Sequence, residues 1–412
     1  MSTTPLNPSK IHPAWLILLA AAGAFALTMG VRQSMGLFLS PINTATGLGV
    51  GQISLAFAFG QLWWGLTQPF AGAMADKVGT GRVVLTGVLL IVLGTFITPF
   101  MTSTWGLILA IGVLSAGGAG MAGPSVLMAA TTRLLPPERR GFATGVVNAG
   151  GSFGQFLVAP LAGALTVGLG WGGALQVLAV LTLLALPAAW VLRGNSSSLA
   201  ASAGAPVVNQ TASEAIRTAL RTPSYLMLSA GFFVCGFHVA FLATHLPGVI
   251  EACGLSPQWG GWALSVLGLF NIVGSLSMGW AVGRWRMKSL LTLVYASRAL
   301  GIVLFLLAPK TGFVVLVFAA WMGVSFLSTV PPTAGLVAKM FGTRHMAMLF
   351  GMVMLAHQLG GFLGALLGGK VFAATGSYNW MWYADIVLAI GAALVHLPIR
   401  EAKLPPRVAV AA

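Results

Sequence analysis

Apolar residues along this chain come in long blocks separated by short polar gaps. Twelve blocks cover residues 14–40, 52–75, 83–101, 105–132, 141–167, 172–192, 224–248, 258–282, 289–308, 312–338, 346–372 and 380–399. Each reaches the roughly 20 residues that a helix needs to cross about 30 Å of hydrocarbon. An open sheet in lipid would leave backbone groups unpaired, and the short alternating segments of a membrane β-barrel are absent. The pattern therefore predicts an all-α membrane protein with twelve transmembrane helices. One long polar gap interrupts it. The Ser- and Ala-rich run "GNSSSLAASAGAPVVNQTASEAIRTALRT" reads as a linker over 194–222, between a six-helix half at 1–193 and another at 223–412.

The two halves repeat each other at a nearly constant shift. "GVRQSMGLFLSP" (30–41) lies over "GFHVAFLATHLP" (236–247) at a shift of 206. Gly72 to Lys77 lies over Gly279 to Arg284 at 207, and "GGSFGQFLVAPLAGA" (150–164) over "AHQLGGFLGALLGGK" (356–370) at 206. Three matches spread along the chain in near register indicate a duplicated unit, and such repeats in membranes build transporters with a site at their interface.

Composition agrees: 57% of the 412 residues are hydrophobic and 7% charged, and the mean hydropathy is +0.92. Lipid must solvate most of that surface. The net charge of +15 would point to nucleic acid in a soluble protein. Here seventeen of the 21 Lys and Arg residues fall in alternate gaps, Lys310 and Lys370 lie on the opposite side, and Arg32 and Arg298 lie inside spans. That bias places both termini in the cytoplasm of a multi-pass protein of a bacterial inner (plasma) membrane, with no nucleic-acid partner. Cys235 and Cys253 have no metal-ligand neighbourhood, so neither a zinc site nor a disulfide is expected. "GGSFG" has the Gly-x-Ser-x-Gly spacing of a hydrolase elbow but lies within an apolar helix where the elbow needs a strand. With no HExxH or Walker loop, no enzyme activity, metal or cofactor is expected.

"GAMADKVGTGRVVL" (72–85) joins the second and third spans. Gly72 permits tight helix contact, and Asp76 can sit at a helix N-terminus or pair with an arginine. The run resembles the loop signature of the major facilitator superfamily, Gly-x-x-x-Asp-Arg/Lys-x-Gly-x-x-Arg, at Gly72, Asp76, Lys77, Gly79 and Arg82. The resemblance implies the major facilitator fold, and a charge latch of Asp76, Lys77 and Arg82 that biases the outward-open state. The second copy has Gly283 where Asp76 stands, which implies a weaker latch there. "LSVLGLFNIVGSLSMG" (264–279), with "CGFHVAFLATHLPGVI" and "HQLGGFLGALLGG", is similar to the monocarboxylate transporter and oxalate/formate antiporter branch. That branch carries an acid and then a substrate-gripping arginine on its eighth helix. Asn271 and Ser275 occupy those positions here, so that contact does not carry over.

Other residues must then supply a cation. Arg32 lies inside the first span, where insertion costs about 2.5–3.5 kcal/mol. It either points into a central cavity, where a guanidinium can fork onto a carboxylate, or snorkels to the interface. His238, its repeat equivalent, would face it across that cavity, donate to an anion and carry a proton; the alternative is a hydrogen-bonded packing residue. Arg298 either pairs structurally with Asp385, the sole acid inside a span, or serves substrate or gating; Asp385 lies nearer the outer face. Asn148, Asn271, His357 and Gln358 complete a polar, acid-poor lining, with helix-to-helix hydrogen bonding as the plainer reading of each. The glycines at i, i+4 in spans five and eleven read as packing seams.

The expected function is secondary active transport of a small organic anion, a monocarboxylate, coupled to protons by alternating access, with the lipid bilayer as the surrounding partner. A proton-driven exporter of drugs or metabolites, or a non-transporting sensor or scaffold, is the alternative.

Overall fold

A computed structural model describes residues 14–134, 137–193, 212–342 and 346–402. The described residues are helical with no strand. Nine stretches are long and apolar enough to cross a membrane. One of them, Gly145–Val191, is two helices joined at Gly170, whose φ of 72° breaks the helical path. Two further helices, Val50–Val78 and Asn379–His396, complete twelve. We number them α1 (Trp15–Thr46), α2 (Val50–Val78), α3 (Thr80–Phe100), α4 (Thr104–Met128), α5 (145–169), α6 (171–191), α7 (Pro223–Ala252), α8 (Gln258–Val282), α9 (Met287–Leu307), α10 (Gly312–Phe341), α11 (Met346–Thr375) and α12 (Asn379–His396). Part of the predicted linker is helical. Residues 194–211 lie outside the described residues, and Ala212–Leu220 forms a short helix whose Ala215 and Ala219 are buried.

Small residues set the tightest helix pairs, because without a Cβ two backbones can approach closely. A Cβ at Gly154 would collide with the Ala26 main chain of α1, and one at Gly360 with the Phe233 carbonyl of α7. These two glycines are repeat equivalents, so the expected seams are present in both halves. Each half has its own apolar core, one around Phe25, Val84 and Leu127, the other around Phe241, Leu264 and Trp382.

The halves meet where α1 packs on α7, with Gly36 against the Ala243 carbonyl, and along two longer lines. α2 runs against α11 from Gly51, beside Lys370 and Ala373, to Gly65, which packs on Gln358. α5 runs against α8 through Ser152, Gln155 and Pro160. A Cβ on Gly72 or Gly279, nearer the end that carries the basic loops, would meet nothing within 4 Å. The expectation that Gly72 makes a tight contact is therefore not met in this state. The seam closes the end of the bundle opposite the basic loops and stops near mid-helix, leaving the basic end open. Gly79 earns its place in the loop signature differently: it turns between α2 and α3 at φ 93°, where a side chain would be strained.

The fourth helix of each half is broken at the same point of the repeat. α4 has a π-helical stretch, Ile108–Ser115, then leaves helical geometry at Ala122 and Gly123 before Pro124. α10 is helical to Ser325, opens over 326–329 and resumes at Val330 ahead of Pro331. A proline cannot donate the helical hydrogen bond, so each break leaves main-chain groups that need other partners.

Candidate functional site

Arg32 points inward. Its Nη2 donates to Gln61 Oε1 on α2 at 2.5 Å, and its guanidinium lies 4.4 Å from the centre of the Trp64 ring. Gln61 and Trp64 stand one turn apart on the face of α2 that also carries Gly65, where the seam with α11 ends. Arg32 is half-buried and forms no ion pair with any acid among the described residues. A guanidinium has five N–H donors in a planar fork, and the amide of Gln61 takes one of them. Gln358 reaches the same region from α11, fully buried against Gly65 with its Nε2 unpartnered. Trp64 is the member that sequence reasoning missed. Its spacing from Gln61 was the available signal.

His238 does not face Arg32, contrary to the repeat-based expectation. It is 1% exposed and turned into its own half, with Nε2 3.1 Å from the Asp385 carbonyl and 3.4 Å from its carboxylate Oδ1. Repeat equivalence fixes the helix and depth of a residue, but its rotamer follows the nearest polar partner, here supplied by α12.

Arg298 does not pair with Asp385 either. Its Nη2 donates to the Ser325 and Phe326 carbonyls at 2.5 and 2.8 Å and approaches Cys235 Sγ at 3.6 Å. These are the carbonyls freed by the break in α10. A cation at the C-terminal end of a helix segment also meets the negative end of its dipole. Asn271 holds the other side of the break. Its Oδ1 accepts from Leu327 N at 3.1 Å and its Nδ2 donates to Ser152 Oγ on α5 at 2.9 Å. Ser275 adds a long bond to the same Oδ1 at 3.4 Å. In the first half Gln68 plays the related part, accepting from Ser125 Oγ just past the α4 break at 2.6 Å.

The remaining predicted residues divide. His357 is 7% exposed and turned into the second half, its ring 4.9 Å from Phe232 and its edge beside Cys235. Asn148 is half-buried on α5. Lys77 and Arg82 are exposed at the basic end of α2 and the start of α3; the Asp76 side chain lies outside the described set. The structure thus gathers Arg32, Gln61, Trp64 and Gln358 where the seam ends, and gathers His238, Arg298, Cys235, His357 and Asp385 inside the second half.

Residues 18–365 match the family described as the Major Facilitator Superfamily. The chain belongs to the Major Facilitator Superfamily. Among its relatives, monocarboxylate transporter 13 of Rattus norvegicus is 27% identical over 389 residues, covering 93% of this chain and 89% of the relative. The oxalate:formate antiporter of Oxalobacter formigenes is 24% identical over 368 residues, covering 87% and 84%. Among solved structures, a bacterial homologue of the human lysosomal transporter Spinster, inward-facing and unoccupied, superposes with a TM-score of 0.73 at 16% identity, covering 93% of this chain and 96% of that one. This superfamily member therefore has the twelve-helix fold in two related halves and is a membrane transporter.

Proposed function

We propose that the protein carries small organic anions, monocarboxylates foremost, together with protons by alternating access across a bacterial inner membrane. The carrying observation is Arg32: an intramembrane guanidinium, half-buried where the closed seam gives way to the open end, bound to one neutral amide and, among the described residues, to no acid. A carboxylate would take the remaining fork of donors in a bidentate, charge-assisted contact. Gln61 and Gln358 would border it, and the Trp64 face would position the guanidinium. The names of the relatives support this substrate class. In this reading the termini and basic loops face the cytoplasm, and the open end is the inward-facing state. The linker over 194–222 joins the halves, and Asp76, Lys77 and Arg82 latch the opposite state.

Uptake of a radiolabelled panel (formate, lactate, pyruvate and oxalate) into proteoliposomes, with and without an inward proton gradient, tests the proposal. Accumulation of at least one acid, enhanced by the gradient and competed by unlabelled acid, is expected. Proton movement stimulated by cationic drugs, with no acid uptake, would replace the proposal by an exporter.

A further inference from the structure

The polar cluster inside the second half holds more unpartnered atoms than packing explains. Arg298 Nε and Nη1, His238 Nδ1, His357 Nδ1 and Asp385 Oδ1 are all buried without a hydrogen-bond partner. Asp385 is the only acid within the twelve described helices at mid-span depth. Isolated buried charge is expensive, so a lone carboxylate there needs a cation or a proton.

The register of α9 on α12 brings the cation close. Thr292 Oγ1 donates to the Ala393 carbonyl at 3.3 Å and Lys288 Nζ to the Leu397 carbonyl at 2.8 Å. This antiparallel alignment sets Asp385 opposite residue 300, two residues from Arg298, or about 3 Å along the axis. The depth difference expected from sequence thus disappears. Arg298 nevertheless takes the two α10 carbonyls, and Asp385 lies against His238 instead. Charge-assisted bonds to a carboxylate are roughly twice as strong as neutral ones. A guanidinium that passes over a carboxyl within side-chain reach points to a carboxyl that is not a free anion.

We propose that Asp385, backed by His238, is the seat of the coupling proton, and that Arg298 reports its occupancy to the break in α10. The inference rests on the proton-coupled reading above. With the proton on Asp385, Arg298 stays on Ser325 and Phe326 and the tenth helix is clasped. When the proton leaves to water, the Asp385 anion draws Arg298 off those carbonyls and frees the break. The other titratable or charged groups around the pair are Cys235 on α7, Tyr295 on α9, His357 on α11 and His396 on α12. Tyr295 is committed to the Gly231 carbonyl at 2.5 Å and stacks on His396, whose Nδ1 lies 2.6 Å from the Ala392 carbonyl. Within this ring Asp385 is the sole acid.

Infrared difference spectroscopy of the reconstituted full-length protein across pH tests the seat without any solute. The chain has two aspartates, Asp76 and Asp385. Carboxyl-¹³C-aspartate labelling of Asp76→Asn should shift one protonated-carboxyl C=O band, present at low pH and lost as pH rises. The band should disappear in Asp385→Asn and move in His238→Gln. A titrating band indifferent to aspartate labelling, or no such band, overturns the proposal even if the wild-type protein transports. If lactate is carried, Asp385→Asn should keep lactate exchange while its stimulation by a proton gradient falls at least tenfold; full stimulation also overturns it. If the wild type moves no lactate while the labelled band titrates, the monocarboxylate reading fails and the proton seat stands.

Discussion

Arg32 and Arg298 are the same residue type, each inside a helix, one in either half, and they are held in opposite ways. Arg298 is 1% exposed and gives its Nη2 to two main-chain carbonyls that a broken helix cannot satisfy itself, while its Nε and Nη1 are buried out of a solute's reach. Arg32 is half-buried, leans on an indole face and bonds to one side-chain amide. Main-chain acceptors stay where the fold puts them, so a cation resting on them holds the broken helix in place for as long as it stays there. A single mobile amide leaves most of the fork available to a solute. Intramembrane charge by itself therefore does not mark a binding residue; the nature of its acceptors does.

The sharpest way to break the comparison is Arg298→Met. Each lost bond to a charged group costs about 1.5–3 kcal/mol, so this substitution should give the largest fall in melting temperature, read by tryptophan fluorescence in detergent. Unchanged melting with abolished transport would move Arg298 from frame to site. Arg32→Gln should instead leave melting unchanged and cut labelled-acid uptake about thirtyfold, the equivalent of ~2 kcal/mol. Arg32→Lys, which keeps charge but loses the fork, should fall between the two.

Smaller effects test the seams. Gly360→Val would drive a side chain onto the Phe233 carbonyl and should cost about 1–3 kcal/mol, seen as a lower melting temperature. Gly72→Ala meets open space and should leave melting unchanged or slightly raised, since alanine favours the helix by up to ~1 kcal/mol. Slowed transport in Gly72→Ala, with melting intact, would show that this glycine packs only when the basic end closes.

Much of the architecture was legible because lipid imposes strong rules. A block of about 20 apolar residues in a bilayer has no alternative to a helix. Glycine spacing identified the faces of α5 and α11 that touch α1 and α7, because close approach excludes side chains locally. The shift of 206–207 residues placed equivalent elements in both halves, including the two helix breaks, although the breaks themselves were not anticipated. The site was less legible. Asn271 looked like a cavity residue and proved to be a bridge from α8 to α5 and to the α10 break. Cys235 carried no signal except its place one turn before His238, yet it lines the Arg298 cluster.

Sequence by itself determined that the chain crosses a membrane as twelve helices, that it is built twice from one unit, and that two guanidiniums and one carboxyl fall within spans. Those follow from hydropathy, length and repetition, which act along the chain. Only the tertiary structure decided that Arg32 turns inward to Gln61, that His238 turns away to Asp385, and that Arg298 clasps a broken helix. A buried polar group goes to whatever acceptor the neighbouring helix presents, and the identity of that neighbour and its register are properties of the packed bundle.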